Sequence, residues 1–178
     1  MSSFAFDSTA LSHFARGGRF GELEAITTTD ECVVPAEVLD ELARGVDAYP
    51  ALGTVASQAW LKAVELGEFE ELVAFARYKG ELGGGPERNN GEAAVLAWVS
   101  VHGGIAVIDE SAATGIGDAT GVTVHESLWL VIRGFKSKIL GRATAEGIVD
   151  DLIGTGMRLP VTDGASLFAY AYEGSLLP

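Results

Sequence analysis

Short apolar runs recur along the chain and alternate with segments whose apolar residues have helical spacing. The runs are rich in Val, Ile, Phe and Ala, which is typical of strands buried on both faces of a sheet. We expect strands at 4–7, 31–34, 60–66, 105–109 and 122–124. We expect helices at 7–16, 19–25, from 35, at 54–58, 68–78, from 91, at 110–117, 127–135 and 143–153, and a last helix or extended segment at 162–172.

The alternation of strands and helices predicts an α/β fold, a three-layer α/β/α sandwich around a parallel sheet of four or five strands. The length of 178 residues suits one domain over 1–178, and neither an internal repeat nor a linker divides it. Within 68–78, Phe69, Leu72, Val73 and Ala76 recur at helical spacing and predict an amphipathic helix.

Acidic residues follow the apolar runs at four places. Asp7 and Asp109 directly close strand-like runs, and Glu41 and Glu92 lie on helices next to such runs. Because the carboxyl ends of parallel strands meet at one edge of a sheet, we expect these side chains to lie close together. Gathered carboxylates repel one another unless a cation is present, and hard oxygen ligands suit Mg²⁺ or Mn²⁺. The pattern therefore suggests a metal-dependent enzyme that cleaves phosphodiester bonds.

Each of these acids also has a plain structural interpretation. Asp7 can serve only to cap the helix that follows it. Glu92 can compensate the dipole at the first turn of its helix. Asp109 can be a turn residue, and Glu41 can be a solvated charge on a helix surface.

Composition favours a folded protein without a membrane span. Apolar residues make up 48% of the chain, and no apolar run is long enough to cross a bilayer. The first residues lack the basic and apolar regions of a signal peptide. The single cysteine, Cys32, can form no internal disulfide, which favours a cytoplasmic location and a buried strand position for this residue.

The charge balance is strongly acidic. Twenty-five acidic residues face 12 basic ones, for a net charge of −13, and arginines outnumber lysines. High salt screens such self-repulsion, so we interpret the charge as a halophilic adaptation, typical of a salt-loving archaeon. At molar salt the counterion term in nucleic-acid binding is small, and acidity therefore does not exclude a nucleic-acid partner.

Four segments together resemble the PIN-domain family. In that family an Asp, often followed by Ser or Thr, ends the first strand; a Val-x-x-Glu helix, a Gly-Glu-Ala helix and a strand ending in Asp follow. The matching segments occur here in the same order, at 6–9, 38–41, 91–94 and 107–110. The Val-x-x-Glu match selects Glu41 over the neighbouring Glu37 and Asp40.

The resemblance implies a metal-dependent endoribonuclease with a PIN-like fold. It implies that Asp7, Glu41, Glu92 and Asp109 hold Mg²⁺ or Mn²⁺, and that Ser8 orients a carboxylate or a bound water. Segments 128–138 and 150–159 are similar to the branch of toxin nucleases, which implies RNA as the substrate, an antitoxin as a protein partner, and a homodimer. The exposed aromatic residues expected at its interface are Trp60, Trp129, Phe135, Phe168 and Tyr172.

The only basic cluster lies in the segment 128–138. Arg133, Lys136 and Lys138 are predicted to contact the phosphates of RNA, or else to interact with the dipole at a helix end. One position departs from the family pattern: Thr114 stands where an arginine is usual. This departure and the excess of negative charge motivate one alternative, a PIN-like module that binds RNA or protein without cutting. A further alternative is a toxin held by an antitoxin.

Overall fold

The computed structural model of the chain describes residues 2–178, which form an α/β fold around one parallel sheet. The strands are β1 (Ser3–Phe6), β2 (Glu31–Pro35), β3 (Leu61–Val64), β4 (Ile105–Val107) and β5 (Thr123–His125). They lie in the order β3-β2-β1-β4-β5, and every neighbouring pair is parallel. The predicted parallel sheet of four or five strands is confirmed, with five.

Helices connect the strands and cover the sheet. The α-helices are α1 (Ser8–Arg16), α2 (Phe20–Thr27), α3 (Ala36–Gly45), α4 (Phe69–Leu82), α5 (Asn90–His102), α6 (Ser111–Thr120), α7 (Ser127–Lys136), α8 (Arg142–Gly154) and α9 (Leu167–Glu173). Short 3₁₀ helices occupy Pro50–Ser57 and Gly164–Ser166. None of the helices within residues 2–178 is both long enough and apolar enough to cross a membrane.

The first 3₁₀ helix, Pro50–Ser57, differs from the loop and short helix that the sequence predicts there. Pro50 opens it, and the hydroxyls of Thr54 and Ser57 donate to carbonyl oxygens three residues earlier, each at 2.8 Å. These side-chain bonds match the three-residue repeat of a 3₁₀ helix. This segment packs against α1 and α3 and thereby closes one side of the region where the acidic residues meet.

The order of the strands defines where a site can form. The chain builds β2 and β3 on one side of β1 and then returns to place β4 and β5 on the other side. Right-handed connections put the helices of these two halves on opposite faces of the sheet. The carboxyl ends of β1 and β4 therefore flank the point at which the direction of winding changes, where α/β proteins form their crevices. Asp7 ends β1 at this point, and its N–H donates to the carbonyl of Val107 at 3.0 Å.

The core is built from strand residues and the helix faces over them. Phe4, Phe6 and Val107 are fully buried, as continuous apolar strands require when both faces of a sheet are covered. Cys32 is buried within β2, as its position in the sequence predicts.

Among the aromatic residues offered for self-association, only Tyr172 is largely exposed, at 53% of its surface. Phe168 is buried, and the other three pack against the core.

The sequence pattern predicts an apolar face on helix α4, and in the structure this face is exposed to solvent. Phe69 is 76% exposed, and Leu72 and Val73 are also exposed to solvent. The residues of this helix that are buried include Glu71 and Tyr78.

A network of hydrogen bonds compensates for the desolvation of the buried Glu71 carboxylate. Its carboxylate accepts bonds from the backbone N–H groups of Gly67 and Glu68, both at 2.8 Å, and lies 2.7 Å from Nε2 of His102 on α5. A buried carboxylate with these partners is no longer unsatisfied. The capping box at the start of α4 thus fixes which face of this helix turns inward.

Candidate metal centre

Three carboxylates from three different elements converge at the carboxyl edge of the sheet. Asp7 follows β1, Glu41 lies on α3, and Glu92 lies in the first turn of α5. Each offers an oxygen, and these oxygens all lie within 4.8 Å of one another. Asp7 is fully buried, and Glu41 and Glu92 are partly buried. The structure therefore brings together three of the four acids that the sequence singled out.

Asp7 serves two purposes. One of its oxygens accepts a bond of 3.2 Å from the N–H of Thr9, which caps the start of α1. The same side chain is part of the acidic cluster, so the capping role predicted as an alternative is real but does not exclude the other.

Glu41 is held by hydrogen bonds to both of its oxygens. The hydroxyl of Ser8 donates to Oε2 at 2.8 Å, and the N–H of Gly91 donates to Oε1 at 2.9 Å. Ser8, which the family resemblance implies as an orienting residue, thus contacts Glu41. Helices α3 and α5 approach closely here because residue 91 is glycine: a Cβ atom at that position would lie 2.8 Å from Oε2 of Glu41.

The loop before α5 delivers Glu92 to the cluster. Asn89 adopts a left-handed backbone conformation, with φ of 58°, and its side-chain amide lies near the carbonyls of Leu82 and Gly83. Lys79 of α4 donates to the carbonyl of Arg88. These contacts connect the loop to the end of α4 and fix where α5 begins.

Burial and mutual repulsion favour the protonated forms of two of these acids. Burial raises the pKa of Asp7 to about 8, and the negative charge of Glu92 contributes in the same direction. Burial also raises the pKa of Glu92, and the charges of Glu41 and Glu110 raise it further while Lys79 opposes them. The main cause is thus desolvation, with repulsion second.

The donor set fits a small hard divalent cation. All three donors are carboxylate oxygens, the ligand type that Mg²⁺ and Mn²⁺ prefer. A cation among them would offset both the free-energy cost of burying the charged Asp7 and the repulsion between the three carboxylates.

Asp109 lies at the same edge but outside this group of three. Both of its oxygens accept bonds from Ser127 at the start of α7: the N–H donates at 2.8 Å and the hydroxyl at 2.7 Å. Burial raises the pKa of Asp109 to about 6; the bonds from Ser127 lower it, and the charge of Glu126 raises it. Asp109 therefore fixes the end of β4 to the start of α7, and its oxygens are already engaged.

The basic cluster lies away from the acids. Helix α7 starts beside Asp109 and spans ten residues, about 15 Å. Near its far end Arg133 donates to Oδ2 of Asp30 at 2.6 Å and to the carbonyl of Ile26 at 2.8 Å, both at the amino edge of the sheet. Lys136 and Lys138 line a groove beside the last residues of the described chain. The structure thus does not bring the predicted phosphate contacts to the acidic edge.

Thr114 lines a cavity that the sequence did not predict. The cavity measures about 220 Å³ and lies beyond β5, next to His125 and Trp129, whose rings stack at 3.9 Å. The hydroxyl of Thr114 is buried there and has no hydrogen-bond partner in the described chain. Neither the cavity nor the unpaired hydroxyl can be predicted from a single sequence, because both depend on how α6 packs against β5.

Comparisons with known proteins agree with this geometry. A search of curated proteins and of solved structures finds no match to the chain. A family model described as a PIN domain matches residues 3–163, which include all four acids at the carboxyl edge and most of the chain. The toxin-nuclease branch is not identified by this match. The chain belongs to the PIN-domain family.

Proposed function

We propose that the protein is a metal-dependent endoribonuclease that hydrolyses phosphodiester bonds of RNA. The observation that supports this proposal is the convergence of Asp7, Glu41 and Glu92, whose oxygens lie within 4.8 Å of one another at the winding switch of a parallel sheet. Proteins of the PIN-domain family are nucleases in general, and the residues that match the family model, 3–163, include these three acids.

Asp7, Glu41 and Glu92 would hold Mg²⁺ or Mn²⁺. The chemistry that such a cation supplies is a lower pKa for water and charge neutralisation at the scissile phosphate. Ser8 and the N–H of Gly91 keep the carboxylate of Glu41 in one orientation. Asp7 is fully buried and is therefore shielded from solvent.

Asp109 is proposed as a supporting acid on the β4 side. Asp109 lies outside the group of three, and Ser127 engages both of its oxygens. We therefore expect Asp109→Asn to reduce activity less than Asp7→Asn does.

The test is cleavage of a labelled RNA with Mn²⁺ and with a chelator. Wild type should cleave only with the metal, and Asp7→Asn should lose activity by more than about 100-fold, the upper end of losses for groups that merely support a ligand. Asn still caps α1 and is neutral, so the fold should persist. The matched control is Asp40→Asn, an exposed acid next to Glu41, which should cleave like wild type.

Two results would contradict the assignment. Full activity of Asp7→Asn would show that cleavage does not require Asp7 as a metal ligand. A pure, folded wild type that binds RNA and never cuts it would support the second candidate, a non-cutting binder, which the presence of Thr114 in place of the usual arginine favours. Calorimetric titration with Mn²⁺ separates loss of metal binding from loss of chemistry.

A further inference from the structure

A groove between α1 and α3 opens directly beside the acidic cluster. It measures about 270 Å³; Glu41 belongs both to its wall and to the cluster, and Ser8 in the wall donates to Glu41. Leu42 and Leu52 form its apolar part. A group that fills this groove therefore lies next to the atoms proposed to act on phosphate.

Tyr49 presents an aromatic ring to this groove. Its side chain is 45% exposed, and its backbone N–H donates to the carbonyl of Gly45 at 2.9 Å. The guanidinium carbon of Arg16 lies 3.8 Å from the centre of the ring, and Arg16 donates to the carbonyl of Thr155 at 2.8 Å. The ring is thus fixed by a cation–π contact before any ligand arrives.

The chemistry of the groove matches one unpaired nucleotide. An aromatic ring stacks on any base, and hydroxyls such as those of Ser8 and Ser12 can bond to a ribose. The positive charge of Arg16 lies beside the Tyr49 ring. The volume is below the roughly 300–1,000 Å³ of pockets for drug-sized ligands, so it suits a single base and sugar. A base inside a duplex is stacked and paired and is not free to enter.

We propose that this groove is a subsite for one unpaired nucleotide of RNA, whose base stacks on Tyr49 next to the scissile phosphate. The inference rests on the proposed function for its choice of RNA. Stacking supplies affinity without many phosphate contacts, which suits a chain with a net charge of −13.

The experiment measures binding separately from cleavage. A fluorescent single-stranded RNA of about 12 nucleotides, and a duplex of equal length, are titrated with the protein in the presence of a chelator. Binding is followed by fluorescence anisotropy. KM and kcat are then measured with Mn²⁺. The variants are Tyr49→Ala, Tyr49→Phe and Tyr172→Ala, the last being a tyrosine of similar exposure that lies outside the groove.

Tyr49→Ala should weaken binding of the single strand roughly 5- to 150-fold, the range that alanine substitution gives for one stacked base, and should raise KM far more than it changes kcat. Tyr49→Phe and Tyr172→Ala should bind like wild type, and the duplex should bind more weakly. Thermal melts check that Tyr49→Ala is folded, as the exposure of this residue predicts.

The possible failures are distinguishable. Cleavage that is unaffected by Tyr49→Ala overturns the subsite and leaves the nuclease intact. Binding that depends on Tyr49, without any cleavage, supports the subsite and refutes the nuclease. Equal losses in Tyr49→Ala and Tyr172→Ala, equal binding of single strand and duplex, or no binding of RNA at all, each overturn the subsite.

Discussion

Replacing Gly91 by alanine should damage the metal centre while sparing the fold. Gly91 lies in the first turn of α5, where its N–H donates to Glu41. An added Cβ would lie 2.8 Å from Oε2 of Glu41, closer than real Cβ contacts come, and 3.2 Å from Cγ2 of Val38. The backbone at residue 91 is helical, so alanine meets no strain there beyond these contacts.

The carboxylate of Glu41 is the part that must move, because it is the flexible end of a side chain. Ordinary contact begins at 3.4 Å, so an oxygen at 2.8 Å must retreat by about 0.6 Å. A displacement of about 1 Å in a catalytic constellation costs on the order of 100-fold. We therefore expect a loss of about tenfold or more in kcat/KM and weaker binding of Mn²⁺. Alanine is better than glycine in a helix by about 1 kcal/mol, which should offset the crowding of Val38.

The matched control is Gly80→Ala within α4, where an added Cβ has no neighbour within 4 Å. It should stabilise the protein by up to about 1 kcal/mol and leave cleavage unchanged. The assay is RNA cleavage over a series of Mn²⁺ concentrations, with thermal melts of all three proteins. A folded Gly91→Ala protein with wild-type activity and wild-type Mn²⁺ affinity would refute the argument that this glycine positions Glu41.

Charge, burial and exposure lead to four more expected outcomes. Because burial raises the pKa of Asp7 from 3.8 to about 8, the metal-free folded protein keeps a proton on Asp7 between these two pH values, where the unfolded chain has released it. Its melting temperature should therefore fall as the pH rises from about 4 to about 8, and Mn²⁺ or Asp7→Asn should reduce that slope; a rising trend would contradict the assigned burial. With a net charge of −13, the melting temperature should rise from low to molar salt, and a flat trend would oppose the halophilic interpretation. We predict a homodimer by light scattering, and Leu72→Glu on the exposed face of α4 should shift the mass toward 18.6 kDa; an unchanged dimer would place the interface elsewhere. His102→Ala removes the partner at 2.7 Å from the buried Glu71 and should lower the free energy of unfolding by about 1–3 kcal/mol in urea titrations, where no change would make that contact unimportant.

The sheet and the acidic edge could be predicted from the sequence because both depend on local rules. Apolar runs buried on both faces mark the strands, and parallel strands necessarily present their carboxyl ends together. These rules alone place Asp7 and Asp109 at one edge of the sheet. What the sequence could not show is which acids converge. Asp109 lies outside the group of three, and its carboxylate instead binds Ser127, a contact between residues 18 positions apart.

The apolar pattern of α4 shows a second limit of prediction from the sequence. Periodicity identified the helix and its apolar stripe, but burial depends on what covers each face. The capping box and His102 satisfy Glu71 in the interior, so Phe69 remains at the surface. A single sequence contains the stripe and the capping box separately and does not indicate which of them turns inward.

The basic residues show why closeness in sequence misleads at the site itself. Arg133 follows Ser127, the residue that binds Asp109, by only six positions, but α7 carries Arg133 about two turns away, to the other edge of the sheet. Lys79 belongs to another helix than Glu92 and lowers the pKa of Glu92 against the larger effect of burial. Arg16 lies over the ring of Tyr49, which lines the groove next to Glu41. Positive charge reaches the acidic edge through Lys79 near the end of α4, whereas α7 carries Arg133 away from it. Under the proposed function, recognition of RNA at this edge would depend on a metal held by the acids, on Lys79 and on stacking against Tyr49, and not on the basic cluster that the sequence displays.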